Sequence, residues 1–235
     1  MEIYNSGQYL ENTGGTWHSE DSLWKAQQIS RIIDNNHLHP KKIAEIGCGA
    51  GQILVSLSKT NEFKNCHFEG YDISQDAIDL CASNASNCSF YCQDLLEVAD
   101  DNNEKIDILL VIDVVEHVTD YMGFIEKCNK KATYKIYHIP LDVHVSSVLR
   151  NTFIHTRNSV GHLHYFTADS ALATLRDTGQ EVVDFFYTDG SFGLFRKHPS
   201  LKKAVANIPR YVLSRFSVPF AARALGGYSL LVLVK

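Results

Sequence analysis

Gly47, Gly49 and Gly51 alternate with other residues in a short loop of this 235-residue sequence. Glycine lets the backbone approach a ligand closely, and a glycine loop between a strand and a helix points free helix N–H groups at that ligand. Dinucleotide-binding loops have the spacing G-x-G-x-x-G, but here Gln52 occupies the position of the third glycine. The spacing therefore argues against a dinucleotide and favours another ligand class.

Carboxylates accompany the predicted strands around this loop. Glu45 lies on the strand before the loop, Asp72 closes the next strand, and Asp94 follows the third. A carboxylate suits a cis-diol because it can accept hydrogen bonds from both hydroxyls together. The segment 113–118, Asp-Val-Val-Glu-His-Val, follows the fourth strand. The sequence thus predicts several acidic groups near a single ligand.

Histidines are the candidate general bases, because a histidine can take the proton of a reacting hydroxyl near neutral pH. The candidates are His18, His117, His138, His162 and His164. On a strand, His162 and His164 would share one face, which would also suit a metal ion. The sequence reveals no third ligand beside them, so we expect no metal site.

The elements that must position these residues alternate between short apolar strands and segments of helical period. Strands are predicted at 42–46, 67–72, 89–92, 106–112, 134–139, 182–187 and 228–234, and helices at 52–59, 74–82 and 167–177. This alternation is typical of βαβ units and predicts an α/β fold with a parallel sheet. The strand at 106–112 is almost wholly apolar, so we expect it in the middle of the sheet.

The glycine loop with Glu45 and Asp72 resembles motif I and its acidic partner in class I S-adenosylmethionine-dependent methyltransferases. The segments 113–118 and 161–167 (Gly-His-Leu-His-Tyr-Phe-Thr) resemble stretches of a bacterial small-molecule subset of that family. The resemblance extends from about Ile43 to the end of the sequence. It implies a Rossmann-like three-layer sandwich with a seven-stranded, mostly parallel sheet, ordered 3-2-1-4-5-7-6 with the last strand antiparallel.

This resemblance also implies S-adenosylmethionine as the cofactor and S-adenosylhomocysteine as its product. The glycine loop would curve under the methionine and ribose, Asp72 would bind the ribose hydroxyls, and Asp94 would bind the adenine amino group. The implied cofactor-binding residues are Glu45, Gly47, Cys48, Gly49, Gly51, Asp72, Ile73, Asp94, Leu95, Asp113 and Val114.

A methyl group on a sulfonium is already electrophilic, so the protein mainly has to position the reactants and, for a hydroxyl, supply a base. We take His117, His162 and His18 as the candidate catalytic residues. No module for recognising nucleic acid or protein is evident, so we expect a small-molecule or saccharide-type acceptor, methylated on oxygen. Two alternatives are a nucleotide-sugar or NAD-linked oxidoreductase and a non-catalytic module that binds S-adenosylmethionine.

Charge is distributed unevenly along the chain. The formal net charge is −5, which argues against a nucleic-acid binder with a wholly basic surface. The segment 191–225, by contrast, holds only basic charges, interleaved with leucine and phenylalanine at nearly helical spacing. As an insert before the last strand, it could recruit an anionic or sugar-linked acceptor, lie on an anionic membrane surface, or simply be a solvated lobe.

We divide the chain into an N-terminal helical cap (1–40) and a methyltransferase domain (41–235) that contains the basic insert. Both tryptophans lie in the cap, and we expect Trp17, His18, Trp24 and Lys25 to help form a lid over the cofactor. Neither a secretion signal nor a span of about 18 apolar residues is evident. The six cysteines form no C-x-x-C pair, so we expect a reduced, cytoplasmic protein. The oligomeric state is left open.

Overall fold

Seven strands form one sheet in the computed structural model, which describes residues 21–81, 87–98, 105–190 and 201–235. The strands are β1 (Lys42–Ile46), β2 (His67–Asp72), β3 (Cys88–Cys92), β4 (Ile106–Ile112), β5 (Ala132–Pro140), β6 (Val182–Thr188) and β7 (Ser229–Val234). Their order is β3-β2-β1-β4-β5-β7-β6. Strands β1 to β5 pair in parallel, whereas β7 is antiparallel to both β5 and β6. The predicted fold class, strand order and strand directions are confirmed.

Helices connect these strands. They are α1 (Ser22–Asn35), α2 (Gln52–Ser58), α3 (Gln75–Leu80), α4 (Tyr121–Lys131), α5 (Val145–Arg150), α6 (Phe153–Val160), α7 (Ala168–Asp177), α8 (Leu201–Phe216) and α9 (Val218–Leu225). Short 3₁₀ helices lie at Asn61–Phe63, Leu95–Glu97 and Val115–His117. Helix α7 begins where the sequence predicts, because the Thr167 hydroxyl accepts the Ser170 N–H as an N-cap.

The packing of strand β4 explains why its sequence is almost wholly apolar. Leu109 and Val111 pack into one buried cluster, whereas Ile108, Leu110 and Ile112 pack into a second. Successive side chains of a strand point to opposite faces, so the two clusters lie on the two faces of the sheet. Burial of each such side chain contributes roughly 1.5–3 kcal/mol relative to exposure. Strand β4 is therefore the centre of a three-layer sandwich.

Helix α1 is an integral part of this sandwich. Its residues Ile29, Ile32 and Ile33 are fully buried in the same cluster as the inner face of α2. This packing fixes the first turn of α1 against the protein. Residues 1–20, with Trp17 and His18, lie outside the described residues, so the part of the lid assigned to them stays a prediction.

Strand β5 and helix α3 differ most from their predicted bounds. Strand β5 extends on both sides of the predicted 134–139, because it pairs with β4 on one side and β7 on the other. Helix α3 ends at Leu80 rather than at residue 82, and its only fully buried side chain is Ala77. Ile78 on the same helix is half-buried.

Helices α8 and α9 are the described part of the basic insert, whose residues 191–200 lie outside the description. Helix α8 packs on α9, and α9 packs on α5. Among the described residues, no helix is long and apolar enough to span a bilayer.

Candidate functional site

A cavity of about 680 Å³ lies at the carboxyl edge of the sheet, where β1, β2, β4 and β5 end. Between β1 and β4 the winding of the sheet reverses, and open α/β sheets bind their ligands at such a point. The first turn of α1 and the end of α6 complete the wall. Among the predicted cofactor-binding residues, the wall includes Glu45, Gly47, Cys48, Gly49, Asp72, Ile73, Asp113 and Val114.

The glycine loop has a backbone that other residues rarely adopt. Gly47 and Gly51 both have φ of +69°, in the left-handed region. A Cβ atom on Gly47 would lie 2.7 Å from a methyl carbon of Val114, and a Cβ atom on Gly51 would overlap the ring of Phe90. Backbone conformation and close packing therefore both require glycine at these two positions.

Asp72 holds the end of β2 against this loop. Its two carboxylate oxygens accept the backbone N–H groups of Gly49 and Ser74, each at 2.9 Å. Burial raises the pKa of Asp72, although these two hydrogen bonds oppose the shift. Each carboxylate oxygen has a second acceptor site, so Asp72 can still accept hydroxyl groups from a ligand in the cavity.

Glu45 is a buried acid at the base of the glycine loop. Its side chain is 1% exposed, and its Oε2 has no hydrogen-bond partner among the described residues. Burial raises the pKa of Glu45 well above its usual range, and the charge of Lys25 only partly offsets this. A buried polar atom without a hydrogen-bond partner costs free energy. A hydrogen-bond donor on a bound ligand would remove this cost for Oε2.

Asp113 joins the first turn of α1 to the centre of the sheet. Its carboxylate lies 2.8 Å from Lys25 Nζ and 2.6 Å from His138 Nδ1. Lys25 also contacts Asp21, and His138 Nε2 lies 2.9 Å from the Thr188 hydroxyl. Four separate parts of the chain thus meet in one network.

The charges in this network stabilise one another. Burial alone would raise the pKa of Asp113, but His138 and Lys25 outweigh it and hold this pKa well below its usual range. Burial alone would lower the pKa of Lys25, but Asp113 and Asp21 raise it above its usual value. Lys25 and Trp24, which we assigned to a lid, form part of the cavity wall.

A second group of side chains in the wall consists of Glu116, His117, Asp142 and His162, which we call the histidine cluster. The rings of His117 and His162 lie 4.9 Å apart between centroids. His117 Nδ1 lies 3.1 Å from the Gly161 carbonyl oxygen, and His162 Nδ1 lies 2.6 Å from an Asp142 carboxylate oxygen. A carbonyl can only accept a hydrogen bond, so Nδ1 of His117 carries the proton and Nε2 of the neutral ring is an acceptor.

Burial controls the charges in the histidine cluster. It lowers the pKa of His117 to about 4, so this imidazole is neutral at physiological pH. It raises the pKa of Glu116 well above the usual range, with a further contribution from the charge of Asp113. The Glu116 side chain is 1% exposed, and neither carboxylate oxygen has a hydrogen-bond partner among the described residues.

Several predicted residues lie elsewhere. The carboxylate of Asp94 accepts the N–H of Leu96 and caps a short helix, the Leu95 side chain is buried in the core, and neither lines the cavity. Gly51 also lies outside the cavity wall, behind Phe90. The roles assigned to these three residues stay predictions. His18 is outside the described residues.

The shared strand face for His162 and His164 is wrong. Residues 161–167 form no strand, and the Glu116 carbonyl accepts the N–H groups of both Leu163 and His164. This pairing turns His162 into the cavity, whereas His164 lies against Thr119 and Tyr121.

Two members of the histidine cluster were missed by the sequence reasoning. Glu116 was predicted only as a member of the segment 113–118, with no role of its own, and Asp142 was not predicted at all. Asp142 follows β5, so its position at the carboxyl edge was an available signal. We expected no third metal ligand beside His162 and His164, and the structure places Glu116 and His117, not His164, close to His162.

Comparisons with known proteins place this arrangement in context. A family model described as a methyltransferase domain matches residues 39–171, which is more than half of the chain. A ubiquinone biosynthesis O-methyltransferase from Coxiella burnetii is 28% identical over 95 residues, or 39% of this chain and 38% of that protein. The chain therefore matches about two-fifths of the length of this curated relative.

Solved structures share the fold at low sequence identity. The plantazolicin methyltransferase BpumL, solved with S-adenosylhomocysteine, has a TM-score of 0.59 and 16% identity, over 98% of this chain and 88% of that one. The cyclase SpnF has a TM-score of 0.58 and 14% identity, over 89% of this chain and 80% of that one.

We predict strong energetic coupling between Lys25 and Asp113. In a double-mutant cycle with Lys25→Met and Asp113→Asn, urea unfolding should give a coupling free energy of about 1–3 kcal/mol, because each single variant removes one of the charged partners of the remaining, largely buried group. The exposed pair Arg223–Asp169 is the matched control and should show no measurable coupling. Equal coupling in the two pairs would contradict a structural role for the Lys25–Asp113 contact.

Proposed function

Because this chain belongs to the methyltransferase-domain family, whose class I members use S-adenosylmethionine, we propose that it transfers a methyl group from this cofactor to an oxygen atom of a small acceptor. One observation carries the proposal. A single cavity is lined both by the glycine loop with Asp72 and by the histidine cluster. Cofactor groups and proton-accepting groups therefore share one enclosed space.

The residues of the glycine-loop side fit S-adenosylmethionine. Gly47 leaves no room for a side chain, so the loop presents bare backbone. Asp72 retains acceptor sites for the ribose hydroxyls, and the buried Oε2 of Glu45 has no hydrogen-bond donor within the described part of the chain. The cofactor carries both hydroxyl and ammonium donors. This donor set complements the acceptors that the chain leaves open.

We propose that the oxygen atom that receives the methyl group binds beside the histidine cluster. The bound cofactor supplies a methyl group that is already electrophilic because it is carried on a sulfonium. The protein must then orient the acceptor and favour loss of its hydroxyl proton. Nδ1 of His117 and Nδ1 of His162 each face a fixed acceptor, so in the neutral form of either ring the lone pair lies on Nε2. A hydroxyl is the acceptor that needs such groups, whereas a carboxylate would not.

The two alternative functions predict different behaviour. An NAD-linked oxidoreductase would bind NADH, which the position of Gln52 disfavours. A non-catalytic module would bind S-adenosylmethionine without turnover, and the concentration of titratable side chains in the cavity favours an enzyme over such a module.

All six cysteines are free thiols, which supports a cytoplasmic location.

An exposed apolar surface supports the proposal that the acceptor is anionic or sugar-linked and is reached at a lipid interface. Large apolar side chains are exposed on three neighbouring helices: Val145, Val148 and Leu149 on α5, Ile208, Tyr211, Val212 and Phe216 on α8, and Phe220 on α9. We call these eight residues the apolar helical surface. It belongs mostly to the basic insert, and adjacent apolar and cationic groups suit an anionic membrane. Helix α6, which follows α5, lines the cavity, so the surface adjoins the site.

We predict that calorimetric titration will show micromolar binding of S-adenosylmethionine and S-adenosylhomocysteine. Asp72→Ala should weaken both about tenfold to a hundredfold, since loss of hydrogen bonds to a charged group costs roughly 1.5–3 kcal/mol. The control Asp76→Ala, an exposed acid on the adjacent helix, should bind like the wild type. NADH should not bind. Binding of NADH without either sulfur compound would overturn the methyltransferase assignment and revive the oxidoreductase.

We also predict that the protein will float with anionic phosphatidylglycerol vesicles at low salt and not with neutral phosphatidylcholine vesicles. Phe216→Ser combined with Phe220→Ser should abolish flotation, because these side chains are 84% and 57% exposed on the apolar helical surface. The control Leu23→Ser changes an equally exposed apolar residue on α1 and should float normally. Wild-type protein that stays at the bottom of the gradient would rule out the membrane contact.

A further inference from the structure

We propose that the histidine cluster binds a divalent metal ion, with Glu116, His117 and His162 as its protein ligands. One potential ligand atom from each of these residues lies within 4.8 Å of the other two. The Nε2 atoms of His117 and His162 are 3.9 and 4.0 Å from Oε1 of Glu116. These separations are too long for hydrogen bonds, but small side-chain movements would bring all three atoms to about 2.0–2.2 Å from a shared ion.

The carboxylate of Glu116 provides an independent reason for a ligand. It is almost completely buried, and both of its oxygens lack hydrogen-bond donors among the described residues. Burial of a carboxylate without a partner is strongly unfavourable, and buried charges in proteins are generally paired or coordinate a metal. A cation in the histidine cluster would supply the partner that the described protein groups do not.

The hydrogen bonds of the two histidines match those of metal ligands. Metal-binding histidines almost always donate their second ring N–H to a carbonyl or carboxylate, which fixes both tautomer and orientation. His117 has the Gly161 carbonyl as this partner, and His162 has the Asp142 carboxylate. Gly161 and Asp142 are therefore positioning residues, and Nε2 is the ligand atom that each histidine would offer.

The backbone keeps the ligand-bearing segments together. The Glu116 carbonyl accepts the N–H of Leu163 at 2.7 Å and that of His164 at 3.1 Å. These bonds tie the turn that carries Glu116 and His117 to the segment that carries His162. Asp113, the nearest other acid of the segment 113–118, has its oxygens held by Lys25 and His138. Among the described residues, the candidate ligand set is therefore two imidazoles and one carboxylate.

This donor set selects the kind of ion. Two imidazole nitrogens and one carboxylate oxygen suit first-row ions such as Zn²⁺ and Mn²⁺, whereas Mg²⁺ and Ca²⁺ prefer oxygen ligands alone. Three protein ligands leave further coordination positions open, as catalytic metal sites do. All three residues line the cavity, so an open position can face its interior.

The consequence for catalysis rests on the proposed function. An acceptor hydroxyl bound to the ion would have a lower pKa and would lose its proton to water more readily. The two Nε2 lone pairs would then hold the ion and would not take the proton themselves. Metal binding itself does not depend on this assignment, so the two proposals can be tested separately.

Calorimetric titration of chelator-treated protein with MnCl₂ tests the site directly. Manganese is the main probe because the six free thiols favour softer ions such as Zn²⁺. We expect one equivalent to bind, with affinity reduced about a hundredfold or more in His162→Ala and in Glu116→Gln, and about tenfold to a hundredfold in Asp142→Asn. His164→Ala, which removes a nearby histidine outside the cavity wall, should bind like the wild type.

The outcomes separate this proposal from the methyltransferase assignment. Absence of manganese binding, or equal binding by wild type, His162→Ala and Glu116→Gln, would overturn the metal site. The same samples are titrated with S-adenosylhomocysteine, which should bind to wild type and to His162→Ala alike. If the protein binds S-adenosylhomocysteine but not manganese, only the proposed metal site is overturned. If it binds manganese but not S-adenosylhomocysteine, the metal site stands and the proposed function is contradicted. Circular dichroism identifies any variant that fails to fold. If either His162→Ala or Glu116→Gln does not fold, the manganese affinity of the other variant tests the site.

Discussion

The buried carboxylate of Asp113 is the interaction on which the shape of the site depends. It stands directly after the central strand β4, with a φ of +55°, and is held between Lys25 of α1 and His138 of β5. An isolated carboxylate there would be costly, but two cationic or hydrogen-bonding partners make its charged form favourable. Because Lys25 comes from a helix whose isoleucines are buried in the core, the same contact fixes one wall of the cavity.

Asp113, Glu45 and Glu116, three of the acids that line the cavity, differ in how their charge is compensated. Asp113 is satisfied within the protein, whereas Glu45 and Glu116 each have at least one buried oxygen without a hydrogen-bond donor among the described residues. Glu45 adjoins the glycine loop, and Glu116 belongs to the histidine cluster. In our proposals, the cofactor supplies the missing partner at Glu45, and a cation with its acceptor supplies it at Glu116.

Sequence patterns predicted what depends on local chemistry. The apolar run of β4, the N-cap of α7 and the glycine loop follow from nearest-neighbour preferences, and the family resemblance supplied the strand order. The histidine cluster could not be predicted in this way, because the position of His162 depends on backbone bonds to Glu116, far away in the sequence. The ion pair between Lys25 and Asp113 was not predicted for a similar reason, because it depends on how α1 packs against the sheet.

The central claim is that one cavity binds S-adenosylmethionine beside the histidine cluster, and a crystal structure with S-adenosylhomocysteine tests it most directly. We predict that the ribose hydroxyls will bind Asp72 and that the sulfur will face the side of the cavity formed by Glu116, His117 and His162. Density for the ligand outside this cavity, or with its adenine against the histidine cluster, would contradict the claim.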